Sequence, residues 1–203
     1  MNTFNIESND YLEKGVNGFF NTNYVGYQKF GNPDFLNILK NDKKDREVIE
    51  LQSAVNTVEE ILKKDLPRVL NKLGWNKALI CCMPRAKAKD SYTKNQLLFT
   101  KVVSVVADSL RNFKDGTNYI TRKINTRTTH LKYSDTEGRM PYAGIARDTC
   151  KIKSNVRGKN IILIDDIYTK TVNVNEDMIQ ALLQAGARSV ALYAVAKTLY
   201  RKQ

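Results

Sequence analysis

The sequence predicts an α/β fold, namely a doubly wound, mostly parallel sheet with a small N-terminal hood or subdomain. Three short apolar runs, at 78–83, 160–164 and 189–195, lack the polar alternation of a half-exposed strand. Such runs are typical of parallel strands that are covered on both faces. The segments between them carry apolar residues at three- and four-residue spacing, as amphipathic helices do. Strands that alternate with helices indicate a parallel sheet. We therefore divide the chain into an N-terminal part, 1–44, and an α/β domain, 45–203.

Size and composition fit one domain without a membrane span. The chain has 203 residues, of which 42% are hydrophobic, and it contains no run of about 18 apolar residues. Its first residues are polar and acidic rather than basic and then apolar, so we expect no signal peptide. Cys81, Cys82 and Cys150 are an odd number of cysteines with two adjacent in an apolar run, which indicates buried thiols rather than disulfides. A reducing, cytoplasmic location is the expectation.

The formal net charge of +12 favours anionic partners such as nucleic acid, nucleotides or polyphosphates. The alternative is a surplus of lysine that only solvates the surface, because the basic residues are spread along the chain. The segment 111–133 holds six basic residues and one acidic residue. From 122 to 146 the chain is polar and basic, which is typical of a functional loop or of a disordered one. DNA or RNA is therefore one candidate partner.

The N-terminal part is rich in Asn, Tyr, Phe and Gly. Aromatic and polar residues partly alternate in it, which predicts short strands or an irregular hairpin. Two interpretations of Tyr24, Tyr27 and Phe30 remain open. These rings either stack a base or pack a small subdomain against the core.

Helical spacing recurs along the rest of the chain. A helix is expected over 45–64, with Pro67 interrupting the pattern and a second short helix ending at Gly74. Two more helices are expected over 94–112 and 173–185 from the same spacing. Further short strands are expected at 117–121 and 147–152.

The stretch 160–186 carries the chemistry. Its apolar strand ends in Asp165 and Asp166, and a short polar loop then leads into the last helix. Open α/β sheets bind ligands at the carboxyl ends of their strands, and phosphate groups at a helix N-terminus. One acid can hold a ribose diol or a hydrated magnesium ion, while N–H groups, hydroxyls and one ammonium of the loop form a phosphate cradle. The plainer alternative is a capped turn with two solvent-facing acids.

This stretch resembles the phosphoribosyl-pyrophosphate (PRPP) motif region of type I phosphoribosyltransferases, and most closely the ComF-like, amidophosphoribosyltransferase-type branch. The shared features are a Gly-Lys turn at 158–159, an apolar strand at 160–164, an Asp-Asp-x-x-Thr motif at 165–169, a Gly-Ala helix end at 186–187 and an Ala-Lys-Thr strand end at 196–198. Upstream, the strand, the Pro-containing loop and the Asn95-Gln96 pair are also similar, as is the basic segment. The resemblance covers about residues 78 to 198.

The resemblance implies an enzyme that binds PRPP with Mg²⁺ and transfers the phosphoribosyl group to, or releases it from, a nitrogen-containing acceptor, with displacement of pyrophosphate. Asp165 and Asp166 would hold the ribose hydroxyls, directly or around the Mg²⁺. The implied 5-phosphate site is the loop of Thr169, Lys170, Thr171, Val172 and Asn173. The implied pyrophosphate loop is Pro84, Arg85, Ala86 and Lys87. Three basic residues would fold over the leaving group as further catalytic residues: Arg122, Lys123 and Arg127. A homodimer or a larger assembly is implied as well.

The phosphate loop departs from the family pattern, Thr-Thr-Gly-x-Thr, because Thr171 takes the glycine position. Glycine tolerates φ > 0, whereas a β-branched threonine held in that region is strained by about 1–3 kcal/mol. We expect Lys170 to compensate with a direct charge on the phosphate and Asn173 to cap the helix. The departure leaves a second hypothesis open, which is a catalytically weak or inactive phosphoribosyltransferase fold that acts as a nucleic-acid- or nucleotide-binding regulatory module.

Overall fold

The computed structural model describes residues 1–41, 46–128, 138 and 140–199. Its strands are β1 (Asn2–Ile6), β2 (Val16–Tyr24), β3 (Ala78–Cys82), β4 (Phe113–Asp115), β5 (Ile120–Arg122), β6 (Cys150–Ile152), β7 (Asn160–Tyr168) and β8 (Ser189–Thr198). Its α-helices are α1 (Asp34–Lys40), α2 (Val48–Leu73), α3 (Leu98–Ser109), α4 (Ile145–Thr149) and α5 (Val174–Gln184). Short 3₁₀ turns lie at Lys89–Ser91, Asn95–Leu97 and Ser154–Val156.

Six strands form one mostly parallel sheet in the order β1-β2-β8-β7-β3-β4. The pairs β2-β8, β8-β7, β7-β3 and β3-β4 are parallel, and β1 runs antiparallel to β2 at one edge. β5 and β6 form a separate two-stranded antiparallel sheet. The predicted α/β class and mostly parallel sheet are therefore confirmed.

Both faces of the central strands are covered, which explains their continuous apolar runs. On one face, Ile80 and Ile162 pack in a core with residues of α1, α2 and α3. On the other face, Leu79, Ile161 and Leu192 pack with residues of α4 and α5. Helices on both sides of a mostly parallel sheet are compatible with a doubly wound arrangement.

α2 runs through Pro67 without a break, so the predicted interruption is wrong. The helix buries Leu62, Leu66 and Val69 on either side of the proline. Burial of this face outweighs the hydrogen bond that proline cannot donate. α2 ends at Gly74, whose φ of +64° is the expected left-handed cap. Within the described ranges, no helix has both the length and the apolarity needed to cross a membrane.

Two other predicted elements differ from the structure. The segment 147–152 is divided between α4 and β6, because Asp177 accepts the N–H groups of Gly144 and Ala146 and so caps a short helix there. The segment 94–112 begins with a 3₁₀ turn before α3. Thr93 and Gln96 bond reciprocally around that turn, at 3.0 and 3.3 Å, in the pattern of a capping box.

The described part of the N-terminal segment contains the predicted hairpin. β1 and β2 pair from Asn2–Phe20 to Ile6–Val16. β2 then pairs with β8, so the hairpin widens the main sheet. α1 follows and forms one wall of the cleft described below. Residues 42–45 lie outside the described residues.

Candidate functional site

A cleft of about 750 Å³ opens at the carboxyl ends of β3, β7 and β8. Asp165 and Asp166 line it from β7, and α1, the loop after β3 and the turn between β7 and α5 surround them. Open α/β sheets bind ligands at this edge. The cleft is therefore the candidate site.

The two acids lie within β7 rather than after it, since the strand continues to Tyr168. Asp165 accepts the N–H of Asp166 at 2.9 Å and the side-chain amide of Asn175 at 2.6 Å. Asp166 accepts the N–H of Ile167 at 2.6 Å and forms an ion pair with Lys40 at 3.1 Å. Each carboxylate is therefore fixed by donors from its own strand and from one other element.

Asp165 is positioned to exchange a proton near neutral pH. Removal from bulk water, together with the charge of Asp166, raises its pKa to about 7. The hydrogen bond from Asn175 and the charge of Lys40 act in the opposite direction. The pair thus combines a readily protonated acid with an acid that is held as an ion pair.

Only some of the predicted phosphate-binding residues in the turn between β7 and α5 face the cleft. Thr169 and Val172 line it. The hydroxyl of Thr169 forms a hydrogen bond with that of Thr198 of β8, at 2.7 Å between the two oxygens. Lys170 lies on the exposed surface and pairs with Glu7 at 3.4 Å. The expected contact of Lys170 with a phosphate is therefore not preformed.

Asn173, rather than Thr171, carries the strained backbone of this turn. Among described residues other than glycine, positive φ occurs at Gln28, Asn41 and Asn173. The φ of Asn173 is +57°. Asparagine is one of the few residues with a side chain that visit this region readily. Asn173 precedes α5, but its side-chain oxygen accepts a hydrogen bond from Asn9 instead of capping the helix. The expected side-chain cap is thus wrong, and Thr171 needs no glycine-like conformation.

The loop after β3 presents Pro84, Arg85 and Ala86 to the cleft. Arg85 donates from Nη1 to the backbone carbonyls of Lys40, at 3.1 Å, and Gln96, at 2.9 Å. Its guanidinium also stacks over Tyr92 at 4.3 Å. Arg85 therefore holds the loop after β3 against the end of α1 and the 3₁₀ turn that contains Gln96.

Lys87, the last residue of the implied pyrophosphate loop, donates its backbone N–H to the Tyr92 hydroxyl at 3.0 Å. The loop is therefore braced by Tyr92 through two of its residues, Arg85 and Lys87. This bracing fixes the backbone that a diphosphate would meet.

Of the three basic residues predicted to cover a leaving group, two line the cleft and one does not. Arg122 lines the cleft but is buried, and its guanidinium donates to the Arg85 carbonyl and the Thr149 hydroxyl. Arg127 also lines the cleft and contacts Met140 at 3.2 Å. Lys123 directly follows β5 and is exposed. Residues 129–137 and 139 of the basic segment lie outside the described residues.

The aromatic cluster of the N-terminal part is divided. Tyr24 packs against the core and donates its hydroxyl to Asn37 at 3.2 Å. Tyr27 lines the cleft, half-exposed, and its hydroxyl accepts from Arg46 at 3.1 Å. Phe30 is fully exposed. Tyr24 also lines the cleft, so two of the three rings border it, and Tyr27 is the more exposed of the two.

No family model matches the chain, and no curated protein matches it significantly. The assignment of a function therefore depends on the cleft.

The acid pair does not fit a divalent ion held by the protein alone. Within the described part of the chain, no three His, Cys, Asp or Glu side chains come together as a metal-binding group. The oxygens of Asp165 and Asp166 already accept hydrogen bonds, and the ammonium of Lys40 stands where a cation would neutralise Asp166. Mg²⁺ prefers six near-octahedral oxygen ligands, which the pair cannot supply without ligand phosphates and water.

Sequence reasoning missed Lys40 and Asn175, which both bond to the acid pair. Asn175 lies two residues after the predicted phosphate loop, in a helix turn that precedes the apolar residues Met178 and Ile179. A polar residue at that place could have been recognised from the sequence as a candidate for the site. Lys40 reaches Asp166 from the opposite part of the chain. A tertiary contact of this kind leaves no local pattern in a sequence.

Proposed function

We propose that the chain binds PRPP, or another phosphorylated ribose, in this cleft and transfers the phosphoribosyl group to a nitrogen-containing acceptor with displacement of pyrophosphate. The observation that carries the proposal is the acid pair of β7, set between two cleft-lining loops at the carboxyl ends of parallel strands. Ionised carboxylates accept hydrogen bonds from hydroxyl groups, and a vicinal diol offers two. Asp165 and Asp166 are the proposed ribose-binding residues.

The proposed 5-phosphate site is the turn between β7 and α5. α5 has 11 residues, and the N–H groups at the start of such a helix favour an anion. Thr169, Thr198 and the backbone around Val172 face the cleft beside it. One of the two threonine hydroxyls donates to the other, which leaves one hydroxyl proton of the pair for a phosphate oxygen, and the N–H of Val172 already donates to the Thr169 carbonyl at 3.1 Å.

The diphosphate is proposed to lie against the loop after β3. Pro84 and Ala86 offer backbone there, and Arg127 supplies a positive charge on the cleft wall. In the reaction, the bond between the anomeric carbon and the pyrophosphate oxygen breaks, and a bond from the acceptor nitrogen forms. The protein positions the reactants and stabilises the leaving polyphosphate, and no side-chain nucleophile is needed. Any Mg²⁺ that accompanies the diphosphate is, in this proposal, held by the phosphates of the ligand and not by the acid pair.

A thermal-shift titration with PRPP and Mg²⁺ tests the proposal, since a ligand that binds only the folded state raises the melting temperature by mass action. The wild type should show a concentration-dependent rise, and the double variant Asp165→Asn, Asp166→Asn should lose it. Asp108→Asn, an exposed acid on α3, is the matched control. A folded wild type that shows no shift at millimolar PRPP would exclude this function.

A second function, nucleic-acid binding, is favoured by the outer face of β5 and β6. Lys151 pairs with Thr121 across this sheet, and Ile120 and Ile152 pack inward. Lys151 and Lys153 are both exposed, and the ammonium of Lys153 lies 5.3 Å from the ring centre of Tyr119. Exposed cations beside an aromatic ring suit phosphates and an unstacked base.

The salt dependence of binding distinguishes this second function. Affinity for single-stranded DNA or RNA should fall linearly on a log–log plot, with a slope of roughly 0.7 per neutralised phosphate. Lys151→Gln with Lys153→Gln should lower that slope, whereas Lys63→Gln with Lys72→Gln on α2 should not. Equal slopes in both double variants would count against the β5-β6 face as the interface.

A further inference from the structure

We infer that Lys40 supplies the cation of the ribose site, so that the cleft binds a phosphorylated ribose without a divalent metal ion. The inference rests on the proposed function, because it concerns the same ligand and the same acid pair. It assigns a ligand-binding role to a residue of α1, which lies far from the predicted motif in the chain.

The contact between Lys40 and Asp166 is a shielded one. The Lys40 ammonium lies 3.1 Å from Asp166 Oδ2, and the two side chains are only 17% and 21% exposed. Both residues line the cleft. Ion pairs that are partly removed from water are screened less than surface pairs and so hold their geometry better. Lys40 is therefore a fixed charge at the place where the ribose would lie.

The main chain around Lys40 is held by the loop that follows β3. α1 ends at Lys40, and Asn41 takes a left-handed conformation with φ of +48°. Arg85 donates to the carbonyl of Lys40 at 3.1 Å, and Gln96 donates to the carbonyl of Asn41 at 3.3 Å. These bonds satisfy carbonyls that a helix end leaves without intrahelical partners. The ammonium is thus positioned by the loop that is proposed to bind the diphosphate.

This arrangement meets the chemical need that a metal ion meets elsewhere. Adjacent carboxylates repel each other and repel an anionic ligand, so a phosphorylated ribose needs a positive charge beside them. An ammonium carries three donors and can bridge a carboxylate and a ligand oxygen. It needs no octahedral ligand set, which the described residues do not provide.

Isothermal titration with PRPP, once in EDTA and once in excess Mg²⁺, tests the inference. The wild type should bind in both buffers, with affinities that differ by less than about threefold. Lys40→Met should lose about tenfold or more in EDTA, and Mg²⁺ should restore part of that loss. Lys40→Arg keeps the charge and should still bind in EDTA. Lys63→Met removes an ion-paired lysine of α2 and is the matched control.

The outcomes separate the inference from the function on which it rests. Wild-type binding that requires Mg²⁺, or Lys40→Met binding that is unchanged in EDTA, overturns the role of Lys40 and leaves the proposed function standing. Binding in neither buffer overturns the proposed function and the inference together. A thermal melt of each variant establishes that the protein titrated is folded.

Discussion

Arg122 donates from its Nε to the backbone carbonyl of Arg85 at 3.2 Å, across 37 residues of chain. The same guanidinium donates to the hydroxyl of Thr149 at 2.5 Å, and the residue is 9% exposed. The resemblance implied that Arg122 covers a leaving group. Its contacts are those of a positioning residue, which ties the loop after β3 to α4.

Replacement of Arg122 should therefore affect stability first. Arg122→Met removes two charge-assisted hydrogen bonds from a buried site and should lower the free energy of unfolding by about 2–3 kcal/mol. Urea denaturation measures this change. Lys123→Met, on the exposed neighbour, should change it by less than about 0.5 kcal/mol. An Arg122→Met protein of unchanged stability but weakened PRPP binding would instead support the direct role that the sequence implied.

The conformation of the phosphate loop gives a prediction in which two glycine substitutions behave differently. Asn173→Gly should be tolerated, because φ of +57° suits glycine, whereas Asn173→Ala should cost about 1 kcal/mol. Thr171→Gly should destabilise the protein, because glycine increases the conformational freedom of the unfolded chain. The folded backbone gains nothing in return, since it does not require positive φ at residue 171. Thermal melts of the three variants measure the order. A stabilising Thr171→Gly would show that the strain lies at Thr171 after all.

The central strands could be predicted from sequence because their environment is uniform. β3, β7 and β8 are buried on both faces, so each reads as a continuous apolar run. Parallel strands bring their carboxyl ends to one edge, and the position of Asp165 at that edge follows. The helix through Pro67 could not be predicted in this way, since the burial that keeps it intact is a property of the folded core.

The candidate site was predictable only in the part that is contiguous in sequence. The acid pair and the following loop are local, and a motif comparison finds them. Lys40 contacts the acid pair from α1, and Arg122 supports the loop after β3 through the Arg85 carbonyl. Neither contact leaves a spacing of residues that could be detected in the sequence. The motif comparison also assigned the left-handed residue to Thr171, although asparagine two residues later is the type that tolerates it.

A buried polar triad in the core gives a stability prediction outside the cleft. The Tyr193 hydroxyl and the Asn21 amide donate to the same carboxylate oxygen of Asp65, at 2.8 and 2.9 Å, and Asp65 and Tyr193 are fully buried. Burial, together with the nearby Asp65, raises the pKa of Tyr193, so the hydroxyl stays a donor. Tyr193→Phe should cost about 1–3 kcal/mol in the free energy of unfolding, because it leaves the acid with one donor fewer.

A double-mutant cycle with Asp65→Leu separates this bond from packing. If the bond to Tyr193 matters, the double variant should lose less stability than the sum of the single variants, by about 0.5–3 kcal/mol. Strict additivity would mean that the Tyr193 hydroxyl contributes through shape alone.

Asp165 should give the protein a distinctive dependence of stability on pH. Its ordinary pKa is 3.8, and removal from water raises the pKa in the folded state to about 7. The folded state therefore holds the proton more tightly than the unfolded state, so the contribution of this group is fully favourable below about pH 4 and declines as the pH rises to about 7. Asp165→Asn cannot titrate, and the free energy of unfolding of this variant minus that of the wild type should increase between those pH values. Urea denaturation of both proteins across the range measures this difference. The contributions of Glu176 and Asp177 cancel in it, because these two groups titrate in both proteins. A difference that stays constant with pH would mean that Asp165 is ionised in the folded protein throughout, and the acid pair would then carry two negative charges into the cleft.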